Sequence, residues 1–171
     1  MTFGLALRAQ LVFREQRQIY DYWLSCAELR PMPSRDDIDP GSMREYLPQI
    51  SLIDISDGMR NATFRLAGSR LRDVYGIEVT GKRLGDLEWG EKQEYWQGIY
   101  QSVVDEGVPQ MGTVLGPLRQ REHVKLFWLR LPLSDDGRSV NKILCHDIAV
   151  PHSFNTHSPV NRSTHSIAAA G

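Results

Sequence analysis

The sequence predicts an α+β domain in which one antiparallel sheet is covered on one face by helices. Two observations lead to this prediction. Five segments have the apolar pattern of strands, two of them before a central block and three after it. The block between them has helical spacing, and its glycines divide much of it into short pieces. The expected order is a helix, two strands, short helices, a longer helix and three strands.

The first element is an amphipathic helix of about 20 residues. Apolar side chains follow helical spacing from Val12 to Ala27, and Pro31 prevents the helix from continuing. The apolar stripe includes three large aromatic side chains, Phe13, Tyr20 and Trp23. We expect this stripe to dock either on its own domain or on a second subunit.

A polar, turn-forming stretch separates this helix from the first strands. Asp36, Asp37 and Asp39 lie in it, without the glycine and glutamate that a calcium-binding loop requires. These acids fit turns and helix caps better than a metal site. Residues 49–56 and 62–67 then predict two strands, joined through the Asp57-Gly58 turn.

The central block runs from Gly68 to Gly107. Several glycines limit its first part to short helices, and a longer helix is predicted from about Glu91 to Gly107. The last three strands are predicted at residues 110–115, 124–133 and 139–150. After Pro151 the residues are polar or small, which predicts a disordered tail. We therefore divide the chain into an N-terminal helix and linker (1–33), a folded domain (34–150) and a tail (151–171).

Composition excludes several classes of protein. Twenty basic side chains against 21 acidic ones leave a net charge of −1, so no nucleic-acid partner is expected. No apolar run approaches the roughly 20 residues of a membrane-spanning helix. The first eight residues carry no basic leader, and the two cysteines form no CxxC pair. These features predict a cytoplasmic protein without a disulfide framework or a metal site.

Several segments together resemble a bacterial family of stand-alone PAS-like proteins, the fifth PAS subtype, once classed as a domain of unknown function. The resemblance covers about residues 17–150. The segments that carry it are Tyr20-Asp-Tyr-Trp23, Pro33-Ser-Arg-Asp-Asp-Ile-Asp-Pro40, Leu47-Pro-Gln-Ile-Ser-Leu-Ile-Asp54, Phe64-Arg-Leu-Ala-Gly-Ser69 and Leu131-Pro-Leu-Ser-Asp-Asp-Gly137.

The resemblance implies a five-stranded antiparallel sheet curled around a small hydrophobic cavity that short helices close. It also implies a sensory or adaptor module that acts through protein–protein interaction. Asp147-Ile148-Ala149 stands near the place of a PAS signalling triplet, Asp-Ile-Thr, but lacks the hydroxyl. No kinase, cyclase or DNA-binding segment follows in the sequence. We therefore expect the signal to leave through another signalling protein or through a homodimer.

Aromatic side chains lie on the elements that would line or close such a cavity. The residues expected there are Tyr75, Trp89, Trp96, Tyr100 and Trp128, with His146 on the last strand. If the cavity is open, aromatic walls suit a small apolar or planar ligand. If the rings fill it, the protein is a ligand-free dimerisation scaffold. An enzyme is the least favoured alternative, because few titratable residues occupy the inward positions.

Cofactor motifs are incomplete, so the cofactor, if any, is unknown. Residues 68–87 contain no cysteine, so a photoreactive flavin is not expected, and a lone strand histidine does not predict haem. Gly76 to Lys82 match the start of a P-loop, but Arg83 occupies the place of the magnesium-binding hydroxyl. No Gly-x-Ser-x-Gly elbow occurs. We therefore predict that the protein is not an enzyme.

Overall fold

A computed structural model describes residues 2–153 of the chain. The predicted tail lies outside the described residues from position 154 onward. The α-helices are α1 (Thr2–Gln10), α2 (Arg14–Ala27), α3 (Arg72–Tyr75) and α4 (Gln93–Glu106). The strands are β1 (Ile50–Asp54), β2 (Thr63–Ala67), β3 (Gln110–Leu115), β4 (Val124–Leu133) and β5 (Lys142–Pro151). Short 3₁₀ turns join several of them.

The five strands form one antiparallel sheet in the order β2-β1-β5-β4-β3. In the central pair, Leu129 lies opposite His146 and Arg130 lies opposite Cys145. Successive side chains of a strand point to opposite faces. Arg130 and Cys145 therefore belong to the inner face, which packs against α4, whereas Leu129 and His146 belong to the outer face, which packs against α2. The predicted fold class is confirmed.

The N-terminal helix differs from the prediction, because two helices replace one. Phe13 has an extended backbone, with φ −89° and ψ 139°, and α2 begins only at Arg14. The ring of Phe13 packs edge-on against Phe127 with centroids 4.9 Å apart, and Leu11 is fully buried. Packing these two side chains against the rest of the domain requires a break in the helix that helical spacing does not show.

The last strand begins three residues later than predicted, at Lys142 rather than Ser139. Asp136 accepts hydrogen bonds from the main-chain N–H groups of Arg138 and Ser139, at 2.8 and 2.7 Å. These bonds hold both residues in the turn between β4 and β5, so they are not available to the sheet. They also lower the pKa of Asp136 to about 2.

The central helix and its neighbours agree closely with the prediction. Helix α4 ends at Glu106 and is followed by Gly107, whose φ of 63° is the left-handed conformation that glycine adopts readily at a helix end. Strands β3 and β4 have the predicted bounds. Asp39 caps the 3₁₀ turn Pro40–Met43 by accepting from the N–H of Gly41, as expected of a turn acid. Within residues 2–153, no helix has the length and apolar character needed to cross a membrane.

Candidate functional site

A buried ion pair lies on the inner face of the sheet. Arg130 of β4 and Asp147 of β5 form it, with Nη1 of the arginine 2.9 Å from Oδ1 of the aspartate. Both side chains are completely inaccessible to solvent. Burying two charges is costly unless they are paired and hydrogen-bonded. We therefore take this pair as the centre of the candidate site.

Further hydrogen bonds hold the guanidinium in place. Nε of Arg130 donates to the hydroxyl of Tyr100 on α4 at 3.1 Å, and Nη1 also donates to the carbonyl of Leu129 at 3.0 Å. The ion pair therefore connects β4, β5 and α4. A displacement of α4 or β5 relative to β4 would change the contacts of the guanidinium with Tyr100 or Asp147.

Three aromatic rings surround the guanidinium. Its central carbon lies 5.4 Å from the ring centroid of Trp96, 5.3 Å from that of Tyr100 and 5.7 Å from that of Trp128. A cation near aromatic rings is stabilised by their electron-rich faces, most strongly when water is excluded. We call these five residues the Arg130 core: Trp96, Tyr100, Trp128, Arg130 and Asp147.

The protonation states in this core follow from burial and pairing. Burial raises the pKa of Tyr100, so its hydroxyl stays protonated. Burial by itself would lower the pKa of Arg130, but Asp147 and nearby groups raise it, and the guanidinium remains charged. Burial raises the pKa of Asp147 above its usual range, and the charge of Arg130 opposes that rise. The carboxylate thus depends on Arg130 for its charged form.

Two polar atoms of the ion pair are not satisfied within residues 2–153. Nη2 of Arg130 and Oδ2 of Asp147 are both buried, and neither has a hydrogen-bond partner among these residues. A buried donor or acceptor without a partner costs about 1–3 kcal/mol, and more when it is charged. The pair therefore leaves one donor and one acceptor unpaired in the core.

The structure places five of the six residues expected around the cavity close together. Tyr75 contacts Trp89 with ring centroids 6.2 Å apart, and Trp89 contacts Trp96 at 5.5 Å. Trp96 in turn contacts both Tyr100 and Trp128, at 6.1 and 5.8 Å. These rings are buried and form one continuous group on the inner face.

His146 does not lie with them. It was expected beside the aromatic residues, but it points to the outer face, where its ring lies edge-on to Tyr46 at 6.5 Å. The register explains this position, because Cys145 and Asp147 flank it on β5 and occupy the inner face. Burial lowers the pKa of His146 to about 3, so the ring is neutral.

A pocket of about 330 Å³ opens beside the aromatic group. Trp89, Trp96 and Tyr100 form part of its wall, and glutamines of α4 form another part. Its volume is near the lower end of the range for small-molecule pockets, which is about 300–1,000 Å³. Between residues 2 and 153, no group of three or more His, Cys, Asp and Glu side chains is arranged to hold a metal ion.

The three aromatic residues of the predicted N-terminal helix, which were expected to form its docking stripe, pack against the rest of the chain. Tyr20 and Trp23 each keep only 2% of their surface exposed, and Phe13 contacts Phe127. Two hydrogen bonds fasten α2 to β4: Gln16 donates to the carbonyl of Phe127 at 3.2 Å, and Trp23 donates to that of Pro132 at 2.9 Å. Tyr20 and Trp23 are therefore buried within the chain itself, whereas Phe13, just before α2, is only partly buried.

Arg130 was missed in the sequence, although the signal was present. It is a charged residue inside the apolar run of β4, and Asp147 is its counterpart inside the apolar run of β5. Opposite charges buried in two adjacent strands suggest an ion pair. Only the register, in which Trp128 faces Asp147 and Arg130 faces Cys145, brings them within hydrogen-bonding distance.

Comparison with known proteins identifies the family. A family model described as a PAS domain matches residues 13–146. The chain belongs to the PAS family. The family is the one that its sequence resembles, and its members are sensory modules in general. In this PAS domain the Arg130 core lies on the inner face of the sheet. A search of curated proteins found no match.

Solved structures of light-oxygen-voltage (LOV) proteins have a similar fold. A variant of RsLOV has a TM-score of 0.50 and 13% identity, over 66% of this chain and 68% of that one. A light-oxygen-voltage domain studied with a flavin analogue has a TM-score of 0.51 and 13% identity, over 64% and 82%. The Rhodobacter sphaeroides LOV protein has a TM-score of 0.49 and 14% identity, over 63% and 62%. At such identities the first two comparisons show a shared fold and no more.

Proposed function

We propose that this PAS domain is a sensory module that couples the state of the Arg130 core to the position of α2, and that it signals by binding another protein. The cytoplasmic location and the non-enzymatic role expected from the sequence belong to the same proposal. The fold supports a sensory role, because PAS domains are sensory modules in general.

A single observation carries the proposal: β4 contacts both the Arg130 core and α2. Its inner face carries Trp128 and Arg130, and the main-chain carbonyls of Phe127 and Pro132 accept hydrogen bonds from α2. A shift of β4 caused by a change in the core would therefore change the packing of α2. A ligand can drive such a shift only if it binds the two arrangements with different affinity.

The unsatisfied atoms of the ion pair support control by a small ligand. A molecule with one hydrogen-bond acceptor and one donor would satisfy Nη2 of Arg130 and Oδ2 of Asp147 together. The surrounding rings of Trp96 and Trp128 favour a planar ligand. The cysteines of the chain lie on α2 and β5, at positions 26 and 145, so the proposal includes no flavin thiol chemistry.

Exposed apolar side chains on the N-terminal segments support the contact with another protein. They are Leu5, Val12, Leu24 and Leu29, which keep 71%, 63%, 41% and 102% of their reference surface. Arg8 and Asp21 of these helices pair with each other at 2.7 Å. We propose that two copies of the chain associate through these apolar side chains as a homodimer.

Hydrogen–deuterium exchange tests the coupling. Arg130→Met removes the buried cation. Relative to the native protein, we expect the exchange rate to increase more in residues 14–27 than in α4. Trp128→Phe, a milder change on the same face, should give a smaller effect in the same segment. Arg138→Met, at an exposed turn position, is the matched control. Unchanged exchange in α2 for both core variants would refute the coupling.

Light scattering tests the dimer separately. The native chain should have the mass of two copies, and Leu24→Asp or Leu5→Asp should reduce it to that of one copy. A single-copy mass for the native chain across the micromolar range would exclude the homodimer. The coupling between the core and α2 would be unaffected by that result.

The dense aromatic group favours a second candidate, a dimerisation scaffold without a ligand. Trp96 and Tyr100 keep 2% and 0% of their surface exposed, so their rings occupy much of the inner face. Native mass spectrometry of freshly purified protein distinguishes the two. Extra mass on the folded chain supports a sensor, whereas preparations without a ligand, together with a dimer, support the scaffold.

A further inference from the structure

A second pocket lies on the outer face of the sheet, away from the Arg130 core. It has a volume of about 320 Å³. Leu52 and Leu144, which face each other in the register of β1 and β5, form its floor with Leu133 of β4. We call it the outer pocket; the other residues that line it are Arg35, Ile38, Pro40, Met43, Leu47, Ile50, Leu66, Ala67 and Gly68.

The outer pocket is separate from the inner site because the sheet lies between them. Leu144 points to the opposite face from Cys145, the register partner of Arg130. Helix α2 covers the outer face near β4 through its bonds to Phe127 and Pro132, whereas the pocket lies toward β1 and β2. It is not the cavity predicted from the sequence.

The lining combines apolar walls with a single charge. Every residue that lines the pocket is apolar except Arg35. Leu66, 41% exposed, lies at the open side, and Met43 and Leu133, at 2% and 0%, lie deep. Binding of an aliphatic chain to such an apolar surface is favourable, because it removes apolar area from water.

The guanidinium of Arg35 can accept an anionic partner. Its Nη1 donates to the carbonyl of Ile38 at 2.9 Å, and it forms no ion pair with any carboxylate of residues 2–153. The nearby carboxylate of Asp135 is already bound by the side chains of Asn141 and Lys142. An arginine with unused donors at an apolar pocket suits a carboxylate, which it can bind through two parallel hydrogen bonds.

We propose that the outer pocket binds a short aliphatic carboxylate, with its chain against Met43, Leu52 and Leu144 and its carboxylate on Arg35. The volume, near the lower end of the usual range for ligand pockets, limits the ligand to a small amphiphile. A free aliphatic carboxylate and an anionic lipid surface both combine apolar chains with a negative charge. The closed floor and the single cation favour a free carboxylate.

Methyl NMR of the full chain with octanoate as the probe tests the proposal. Octanoate should cause saturable shifts in the methyl signals of Met43, Ile50 and Leu144 and leave that of Val103, on the inner side, unchanged. Arg35→Gln should weaken octanoate binding about tenfold through loss of the charge-assisted contact. Arg44→Gln, an exposed arginine outside the pocket, is the matched control and should bind as the native chain does.

Two further measurements test the charged contact and the location of the binding site. 1-Octanol, which lacks the charge, should bind about tenfold more weakly than octanoate and equally well to the native chain and to Arg35→Gln. Leu66→Trp, at the open side of the pocket on the same face as Leu52, should block the pocket and abolish binding while the melting temperature is retained. Absence of saturable shifts, equal affinity of Arg35→Gln for octanoate, or shifts at Val103 would each overturn the proposal. Sedimentation with phosphatidylglycerol vesicles, without octanoate shifts, would also overturn it and assign the face to a lipid surface.

Discussion

Trp23 donates the hydrogen of its indole Nε1 to the main-chain carbonyl of Pro132 across 2.9 Å, and both groups are buried. Strand β3 reaches only to Arg130 in its register with β4, so Pro132 lies beyond its end. The helix thus contacts the sheet where the strand has lost one neighbour. This bond and the bond from Gln16 to the carbonyl of Phe127 connect α2 directly to β4.

Loss of this bond should destabilise the fold. Trp23→Phe leaves the carbonyl of Pro132 buried without its donor, and we expect the free energy of unfolding to fall by about 1–3 kcal/mol. Urea denaturation followed by circular dichroism measures it. Ser25→Ala, at an exposed position of the same helix, should change it by less than about 0.5 kcal/mol. Equal losses in the two variants would show that the bond contributes nothing specific.

The Arg130–Asp147 pair should behave as one unit. Arg130→Met or Asp147→Leu alone leaves a buried charge without its partner, which we expect to cost about 3–5 kcal/mol. The double variant should be more stable than the sum of the single losses predicts, because it removes both charges. Urea denaturation of the four proteins gives the interaction energy. Additive losses would contradict a functional ion pair.

His146 should make the stability depend on pH. Its pKa is lowered to about 3 in the fold, below the ordinary value of 6.5, because burial opposes its charged form. The unfolded chain therefore binds a proton in a range where the folded chain does not, and stability falls as the pH falls below about 6.5. We expect a loss of about 2 kcal/mol between pH 7 and pH 5.

Histidine variants separate this effect from other titrations. His146→Leu should remove most of the loss between pH 7 and pH 5. His123→Gln, at an exposed position, should retain it. Urea denaturation at intervals of half a pH unit provides the comparison. A native profile that is flat across this range would show that His146 is not buried in its neutral form.

Two glycines should respond in opposite directions to alanine. A Cβ at Gly68 would lie 2.1 Å from the carbonyl oxygen of Leu47 and 2.4 Å from the main chain of Pro48, so Gly68→Ala must displace backbone. We expect a loss of about 1–3 kcal/mol. A Cβ at Gly98, exposed within α4, meets nothing within 4 Å. Gly98→Ala should stabilise the fold by about 1 kcal/mol, and thermal denaturation measures both changes.

The two cysteines should differ in reactivity. Burial raises the pKa of Cys145 to about 11, so its thiolate is scarce at neutral pH and solvent does not reach it. Cys26 is only partly buried on α2. Ellman's reagent should therefore modify one thiol in the folded protein and two in urea, and Cys26→Ser should leave none reactive when folded. Rapid modification of Cys145 in the folded Cys26→Ser protein would contradict its burial.

Local patterns predicted the central part of the chain well. The bounds of β3 and β4 and the end of α4 before Gly107 follow from alternation, helical spacing and a glycine that adopts a positive φ. Tyr75, Trp89 and Trp96 also lie together, because all three are on elements that cover one face, and their role in a ligand cavity stays a prediction. These features depend on residues close to one another in the sequence.

Other features depend on contacts between distant residues. The break before α2 arises because Phe13 packs on Phe127, more than a hundred positions away, and helical spacing cannot show this. The late start of β5 arises because Asp136 binds the N–H groups of Arg138 and Ser139 in the turn. In both cases hydrogen bonding or burial overrides the local pattern.

The sequence by itself determined the fold class, the order of the strands along the chain and the aromatic character of the inner face. The tertiary structure decided that His146 points outward and that Arg130 meets Asp147 beneath three aromatic rings. Alternation along a strand shows that neighbouring side chains point to opposite faces, but not which set points inward. The pairing register of β4 and β5 decides that, and it arises only when the sheet assembles.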